Sequence, residues 1–331
     1  MNNKRTALPS ANSRFRSLDG LRGLAIAFIL LYHYIQNLLY ASPPGSIGSR
    51  LRVLLSYCWS GVDLFFVLSG FLIGGIILDK HSEKNFLYNF CLRRLARILP
   101  VYLLLLSAYI IIRPFLEGHA GFDWLYTPTI PFSSYFYFSQ NYFYALNNSW
   151  GGNFLSVTWS LAVEEQFYLI LPLLFILLGR NFATYVTVAC IFTAPILRIW
   201  SNGGMISYVS MPHRMDALLL GVFIAVIYRN ERLSFFLRSH SNFLPFLALI
   251  FISGIAVNHF RNQMGQLQGS WVALMYCVIL IMCLTYNESW FQRIMCSTTL
   301  TTLGKYSYGI YMYHQLILGL TPGRLHHNLL A

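Results

Sequence analysis

Charge is what this sequence has least of. Only 10% of its 331 residues are Asp, Glu, Lys or Arg, while 56% are hydrophobic, 17% are aromatic, and the mean hydropathy is +0.54. Soluble domains carry about 25% charged residues and cannot keep so much apolar surface from water. That excludes an ordinary soluble enzyme. Acidic residues are scarcer still, 11 against 23 Lys+Arg, for a formal charge of +12. The basic residues lie mostly between apolar runs. This placement fits anionic headgroups, a cytoplasmic excess of Lys and Arg, and an anionic ligand, and no nucleic-acid partner is expected. Cysteine pairs are also missing: Cys58, Cys91, Cys190, Cys277, Cys283 and Cys296 stand singly, with no CxxC. Neither a disulfide framework nor a metal site is expected; these are packing cysteines. About twenty polar residues precede the first apolar run, without a cleavage-site pattern, so the first helix is expected to stay as a signal anchor. No internal repeat, low-complexity tract or interdomain linker interrupts the chain. One membrane domain is expected at 18–322, flanked by a cytoplasmic segment 1–17 and a short tail 323–331, with no appended soluble domain.

What is present is a series of apolar runs near the length of about twenty residues that a membrane helix needs. They fall near 20–40, 53–78, 98–116, 158–178, 184–200, 214–229, 243–260, 270–286 and 303–322. A shorter, aromatic-rich candidate lies near 131–146; it either crosses, re-enters or rests in the interface, where Tyr concentrates. The expected fold is therefore all-α, a polytopic helical bundle of about ten spans. With a cytoplasmic N-terminus and a non-crossing 131–146, sixteen Lys and Arg fall inside and seven outside. If 131–146 crosses, the split weakens to fourteen and nine. The bias leans toward a segment that does not cross.

Ionisable groups at membrane depth are costly unless they face a cavity or a partner, so each is a candidate for function. LRGLAIAFILLYHY (21–34) carries Arg22 and His33 eleven residues apart. At about 100° per residue that spacing puts both on one helical face, about 16 Å apart along the axis. An imidazole there can take and return a proton; it can equally be a packed histidine satisfied by a neighbouring helix. GVDLFFVLSGFLIGG (61–75) places Asp63 near one end, where it pairs with a cation, orients His33, or meets solvent. Its Gly70, Gly74 and Gly75 read as close helix packing. In FLYNFCLRRLARILP (86–100), Arg94 and Arg97 are neighbours at i, i+3, beside Arg93, and Pro100 is expected in the first turn of the next span. Such a cluster serves topology and lipid contact, or captures phosphate through bidentate guanidinium bonds. TWSLAVEEQFYLILP (158–172) sets Glu164 and Glu165 about 100° apart, so one of them at most faces a given cavity. PHRMDALLLGVFIA (212–225) leads into a span with Arg214 and Asp216. LGKYSYGIYMYHQLI (303–317) supplies Ser307, Tyr308, Tyr311 and His314, of which Ser307, Tyr311 and His314 share a face.

Together these segments resemble the acyltransferase-3 family of integral membrane acyltransferases, over about residues 14 to 318. The six stretches SLDGLRGLAIAFILLYHY, GVDLFFVLSGFLI, Arg94-x-x-Arg97-I-x-P, TWSLAVEEQFY, HRMDALLLG and YSYGIYMYH stand in the family's order. The resemblance implies that His33 is the reacting histidine, as base or acyl relay, with Arg22 as its partner near the acyl donor. It implies Arg94 and Arg97 as acyl-CoA-binding residues and Glu164 as the carboxylate of the W-S-L-x-V-E element. Asp63, grouped with His33 and Glu164 at the catalytic centre, and Arg214 and Asp216 are then supporting polar positions, as are Ser307, Tyr308 and His314.

Acyl transfer from a thioester to a sugar hydroxyl needs a base for the hydroxyl proton, donors for the oxyanion and cations for the CoA phosphates. The expected activity is O-acetyl transfer from acetyl-CoA, a co-substrate and not a resident cofactor, to a hydroxyl of a cell-surface or secreted carbohydrate or glycolipid. The expected location is the bacterial inner membrane, with the N-terminus cytoplasmic. The aromatic loop 117–150 either lines the acceptor side or forms an interfacial belt. A rival reading is a proton-coupled transporter or lipid-linked sugar flippase, which uses the same buried ionisable groups but for which no inverted repeat is visible.

Overall fold

The computed structural model describes residues 16–119, 122, 125, 126, 129–261, 265–286 and 289–320, and every regular element among them is helical. Residues 1–15 of the expected segment 1–17, with Lys4, Arg5 and Arg14, and the tail 323–331 lie outside the described residues. The principal helices are α1 (Arg16–Leu30), α2 (Ile47–Ser56), α3 (Gly61–Lys80), α4 (Phe86–Leu116), α5 (Gln140–Asn147), α6 (Thr158–Trp200), α7 (Met211–Arg229), α8 (Leu244–Arg261), α9 (Gln268–Thr285) and α10 (Thr298–Gly319).

Among the described residues six helical stretches are long and apolar enough to cross a membrane, or seven if the pair Glu231–Ser239 and Ser241–Val257, bent by 57°, is one span. The protein is thus an integral membrane helical bundle, and this count, which takes Asn153–Trp200 as one stretch, does not reach the expected ten or so. The runs at 158–178 and 184–200 are both helical and lie in α6, which is two helices joined at a kink at Gly179, whose φ 72° and ψ 161° are not helical. At about 1.5 Å per residue each half of α6 covers about 30 Å, the hydrocarbon thickness. The last run lies in α10, whose Thr, Lys, Ser, Tyr and His residues lower its hydropathy. Segment 131–146 forms two helices, Ser133–Phe136 and Gln140–Asn147, of 4 and 8 residues. The longer covers about 12 Å, too little to span a bilayer. Pro100 corrects another expectation: it lies in the interior of α4, which starts at Phe86 and carries Arg93, Arg94 and Arg97 as part of one continuous helix.

Small residues hold the centre together. Without a hydrophobic drive between helices in lipid, association depends on close van der Waals contact, and glycine permits the closest. Gly70 on α3 lies against the Leu218 carbonyl of α7, and Gly221 of α7 lies against the Val67 carbonyl of α3. Gly23 on α1 meets the Leu300 backbone, and Gly304 on α10 meets the backbone of Asp19. A methyl group at any of the four would overlap backbone, so α1–α10 and α3–α7 are fixed in register. The polar residues between these pairs are thereby held at defined positions.

Candidate functional site

Two cavities in the bundle gather residues that the sequence singles out. The first, about 290 Å³, gathers Arg22 of α1, Ser69 of α3, Arg94 and Arg97 of α4, Glu164 and Tyr168 of α6, and Ser307 and Tyr308 of α10. Glu164 is the one carboxylate among its described lining residues. It accepts a hydrogen bond of 2.5 Å from Ser69 Oγ, while Glu165, a third of a turn away, does not line the cavity. The guanidinium of Arg94 lies 5.8 Å from the ring centres of both Phe90 and Tyr168, which hold it over their faces. Arg22 is held 3.3 Å from Asp19 one turn earlier. Tyr308 Oη donates to the Ile98 carbonyl at 2.9 Å and ties α10 to α4 beside Arg97. Ser307 Oγ bonds back to the Gly304 carbonyl. Phe65, Phe66, Leu72, Ile73, Ile76 and Ile98 make the rest of the wall apolar.

The second cavity is larger, about 700 Å³, and holds His33, His314, Gln315 and Gln36 among aromatic side chains. Trp150, Trp159 and Tyr208 form one wall, with ring centroids 4.9 to 6.4 Å apart. Gln315 Nε2 lies 2.7 Å from His33 Nδ1, and the His33 and His314 rings are 5.0 Å apart. Val62 and Tyr311 line both cavities. The Tyr311 hydroxyl is 2.7 Å from Ser160 Oγ and donates to the Val157 carbonyl at 3.1 Å, so its ring stands at the junction.

Spacing puts Arg22 and His33 on one face of the first helix at two depths. Arg22 and His33 line different cavities. Residues Leu31–Ile35 form a π-helical turn, in which the Gln36 N–H bonds to the Leu31 carbonyl five residues back. A turn this wide departs from 100° per residue beside His33, while Arg16–Leu30 is regular α-helix. Asp63 does not line the His33 cavity; it accepts from Arg214 Nη2 at 2.7 Å, both side chains being almost fully buried. Arg214 in turn lies 5.8, 5.9 and 5.2 Å from the rings of Phe66, Trp159 and Tyr208. This ion pair therefore backs the aromatic wall. Asp216 joins a second buried pair, bidentate with Arg198 at 3.2 and 2.7 Å, and accepts from Ser270 Oγ at 2.6 Å. Arg198 also donates to the carbonyls of Gln266 and His213. It binds α6, α7 and α9 into one end of the bundle.

Sequence reasoning singled out Ser307, Tyr311 and His314 as one face, and that face does run from the first cavity into the second. It missed Arg198, whose position in an apolar run beside Pro195 was a signal, and it missed Gln315, Gln36 and Tyr208. Among the described residues no cluster of His, Cys, Asp or Glu has the arrangement of a metal site. Of loop 117–150, Trp150 reaches the second cavity, while Tyr126, Phe132 and Tyr135 pack on Tyr109 and on one another.

The model of the acyltransferase-3 family, described as an acyltransferase domain, matches residues 15–330. The chain is also similar to the O-acetyltransferase OatA of Staphylococcus aureus strains NCTC 8325, COL and MRSA252, with 28% identity over 328 aligned residues in each case. The alignments cover 91% of this chain and 50% of those proteins, so the chain spans about half the length of the curated relatives it matches. No solved structure matches the chain.

Proposed function

The chain belongs to the acyltransferase-3 family of integral membrane acyltransferases, and from that premise we propose that it transfers acetyl from acetyl-CoA to a hydroxyl of a cell-surface or secreted carbohydrate. The observation that carries this reading is the pair of cavities meeting at Val62 and Tyr311. One is lined by Arg22, Arg94 and Arg97, whose guanidiniums suit phosphate oxygens. The other combines the His33 imidazole with Trp59, Trp150, Trp159 and Tyr208, broad faces of the kind on which a sugar ring lies. On this reading acetyl-CoA docks from the cytoplasm with its phosphates at the arginines, and its acetyl-bearing arm follows the apolar wall toward Tyr311. The acceptor enters from the opposite side of the inner membrane and presents its hydroxyl beside His33. Glu164, hydrogen-bonded by Ser69 on the arginine side, balances part of the cationic charge and belongs to donor binding; Asp63 acts through Arg214 on the aromatic wall.

The test is transfer of labelled acetyl from acetyl-CoA by the purified protein in lipid nanodiscs to extracted cell-envelope glycan, with mass spectrometry of the product. Protein-dependent ester formation is expected, and His33→Ala should lower it at least 10²-fold, the usual range for removing a group that acts directly on the transition state, while the variant still inserts. Undiminished transfer by His33→Ala removes the assignment. Absence of CoA release together with sugar transport would favour the transporter reading.

A further inference from the structure

Two imidazoles face the second cavity, and their hydrogen bonds leave them in opposite states. His314 is only 2% exposed. Its Nδ1 stands 2.6 Å from the carbonyl oxygen of Tyr311, three residues earlier on α10. A carbonyl oxygen only accepts, so Nδ1 carries the proton and the neutral ring keeps a lone pair on Nε2. That nitrogen is buried and has no hydrogen-bond partner among the described residues. Buried polar atoms are nearly always paired, and an exception calls for an explanation such as a catalytic role. The turn that bears it is pinned, because Tyr34 Oη donates to the His314 carbonyl at 2.7 Å. His33 is arranged the other way. The Gln315 amide nitrogen donates to its Nδ1 at 2.7 Å, which puts the ring proton on Nε2 and makes that atom a donor.

We infer that His314 Nε2 is the base that takes the proton of the acceptor hydroxyl, while His33 faces the reaction as an N–H donor. The inference rests on the proposed acetyl transfer and names which imidazole does which part of it. The acceptor O–H proton passes to His314 Nε2 as its oxygen bonds to the thioester carbonyl carbon. The carbon–sulfur bond then breaks, sulfur leaves with the electron pair, and the His314 imidazolium returns the proton to it. The products are an acetyl ester and a CoA thiol, and no other reactant is needed. Negative charge on the carbonyl oxygen in between is met by an N–H donor such as His33 Nε2. Tyr311, whose carbonyl fixes the His314 tautomer, also stands at the cavity junction, one turn from the base.

The experiment uses the full chain in nanodiscs with [14C]acetyl-CoA and two acceptor probes, extracted envelope glycan and trifluoroethanol. The hydroxyl of trifluoroethanol is acidic enough to need less help from a base. His314→Gln should bind acetyl-CoA within twofold of wild type and lose about 10²-fold or more of glycan acetylation. It should lose far less with trifluoroethanol and regain part of the glycan rate with added imidazole. Glycan transfer within threefold of wild type overturns the inference, and so does an equal loss with both probes. If His314→Gln fails to bind acetyl-CoA, His314→Asn is measured in its place. Loss of donor binding in both variants makes His314 a packing residue and ends the proposal. A wild-type protein that acetylates neither probe refutes the acetyl-transfer reading itself and takes the inference with it.

Discussion

The cavity around Arg22 is lined by charged groups, and the cavity around His33 mostly by neutral ones. Three guanidiniums and one carboxylate line the first; two imidazoles, amides and indoles line the second, with Arg52 its only Lys or Arg and no carboxylate among the described lining residues. Arg94 sits over the faces of Phe90 and Tyr168. The carboxylates placed near the second cavity are instead spent on arginines outside it, Asp63 on Arg214 and Asp216 on Arg198. The difference teaches that buried charge serves two purposes in this bundle. On the proposed reading it is left for a ligand in one place, and in the other it is neutralised within the protein beside a wall of rings.

That comparison can be broken by substitution. Arg214→Met leaves Asp63 buried without its cation and should cost about 3–5 kcal/mol, read as a lower thermal midpoint in detergent. The double variant Asp63→Leu, Arg214→Met should recover most of the loss. If the single variant is as stable as wild type, the ion pair does not support the wall. Arg94→Ala and Arg97→Ala each remove a charge-assisted bond to phosphate, worth about 1.5–3 kcal/mol, or about 10- to 150-fold in acetyl-CoA affinity by calorimetry. Arg94→Lys should recover only part, because an ammonium lacks the bidentate fork. Stability should change little in these arginine variants, in contrast to Arg214. The smallest effect is expected on the aromatic side. Trp150→Ala removes a stacking face worth about 0.5–1.5 kcal/mol and should raise the acceptor KM severalfold with the acetyl-CoA KM unchanged. A rise in the acetyl-CoA KM instead would erase the distinction between the cavities.

Much of this was legible in the sequence, and the pattern of misses has a physical cause. Spacing along one helix defines a face, so Ser307, Tyr311 and His314 were correctly read as one row, and Gly70 as a contact point. Partners across helices are not encoded in spacing. Gln315 meets His33 from 282 residues away, and Arg214 meets Asp63 from 151. A count at helical period also assumes a regular helix, and the π turn at Leu31–Ile35 breaks that assumption beside the histidine itself. Apolar length indicated the membrane bundle and the two runs on either side of Gly179, while α10, whose polar residues lower its hydropathy, is not among the helices counted as long and apolar enough to cross.

The central claim is that donor and acceptor occupy different cavities that meet at Tyr311. Its most direct test is photo-crosslinking with a CoA analogue carrying the reactive group on its nucleotide, followed by peptide mapping. Labels on the peptides holding Arg94, Arg97 and Tyr168, displaced by excess acetyl-CoA, are predicted. Displaceable labels confined to Trp59, Trp150 and Tyr208 would put the donor in the His33 cavity and contradict the account.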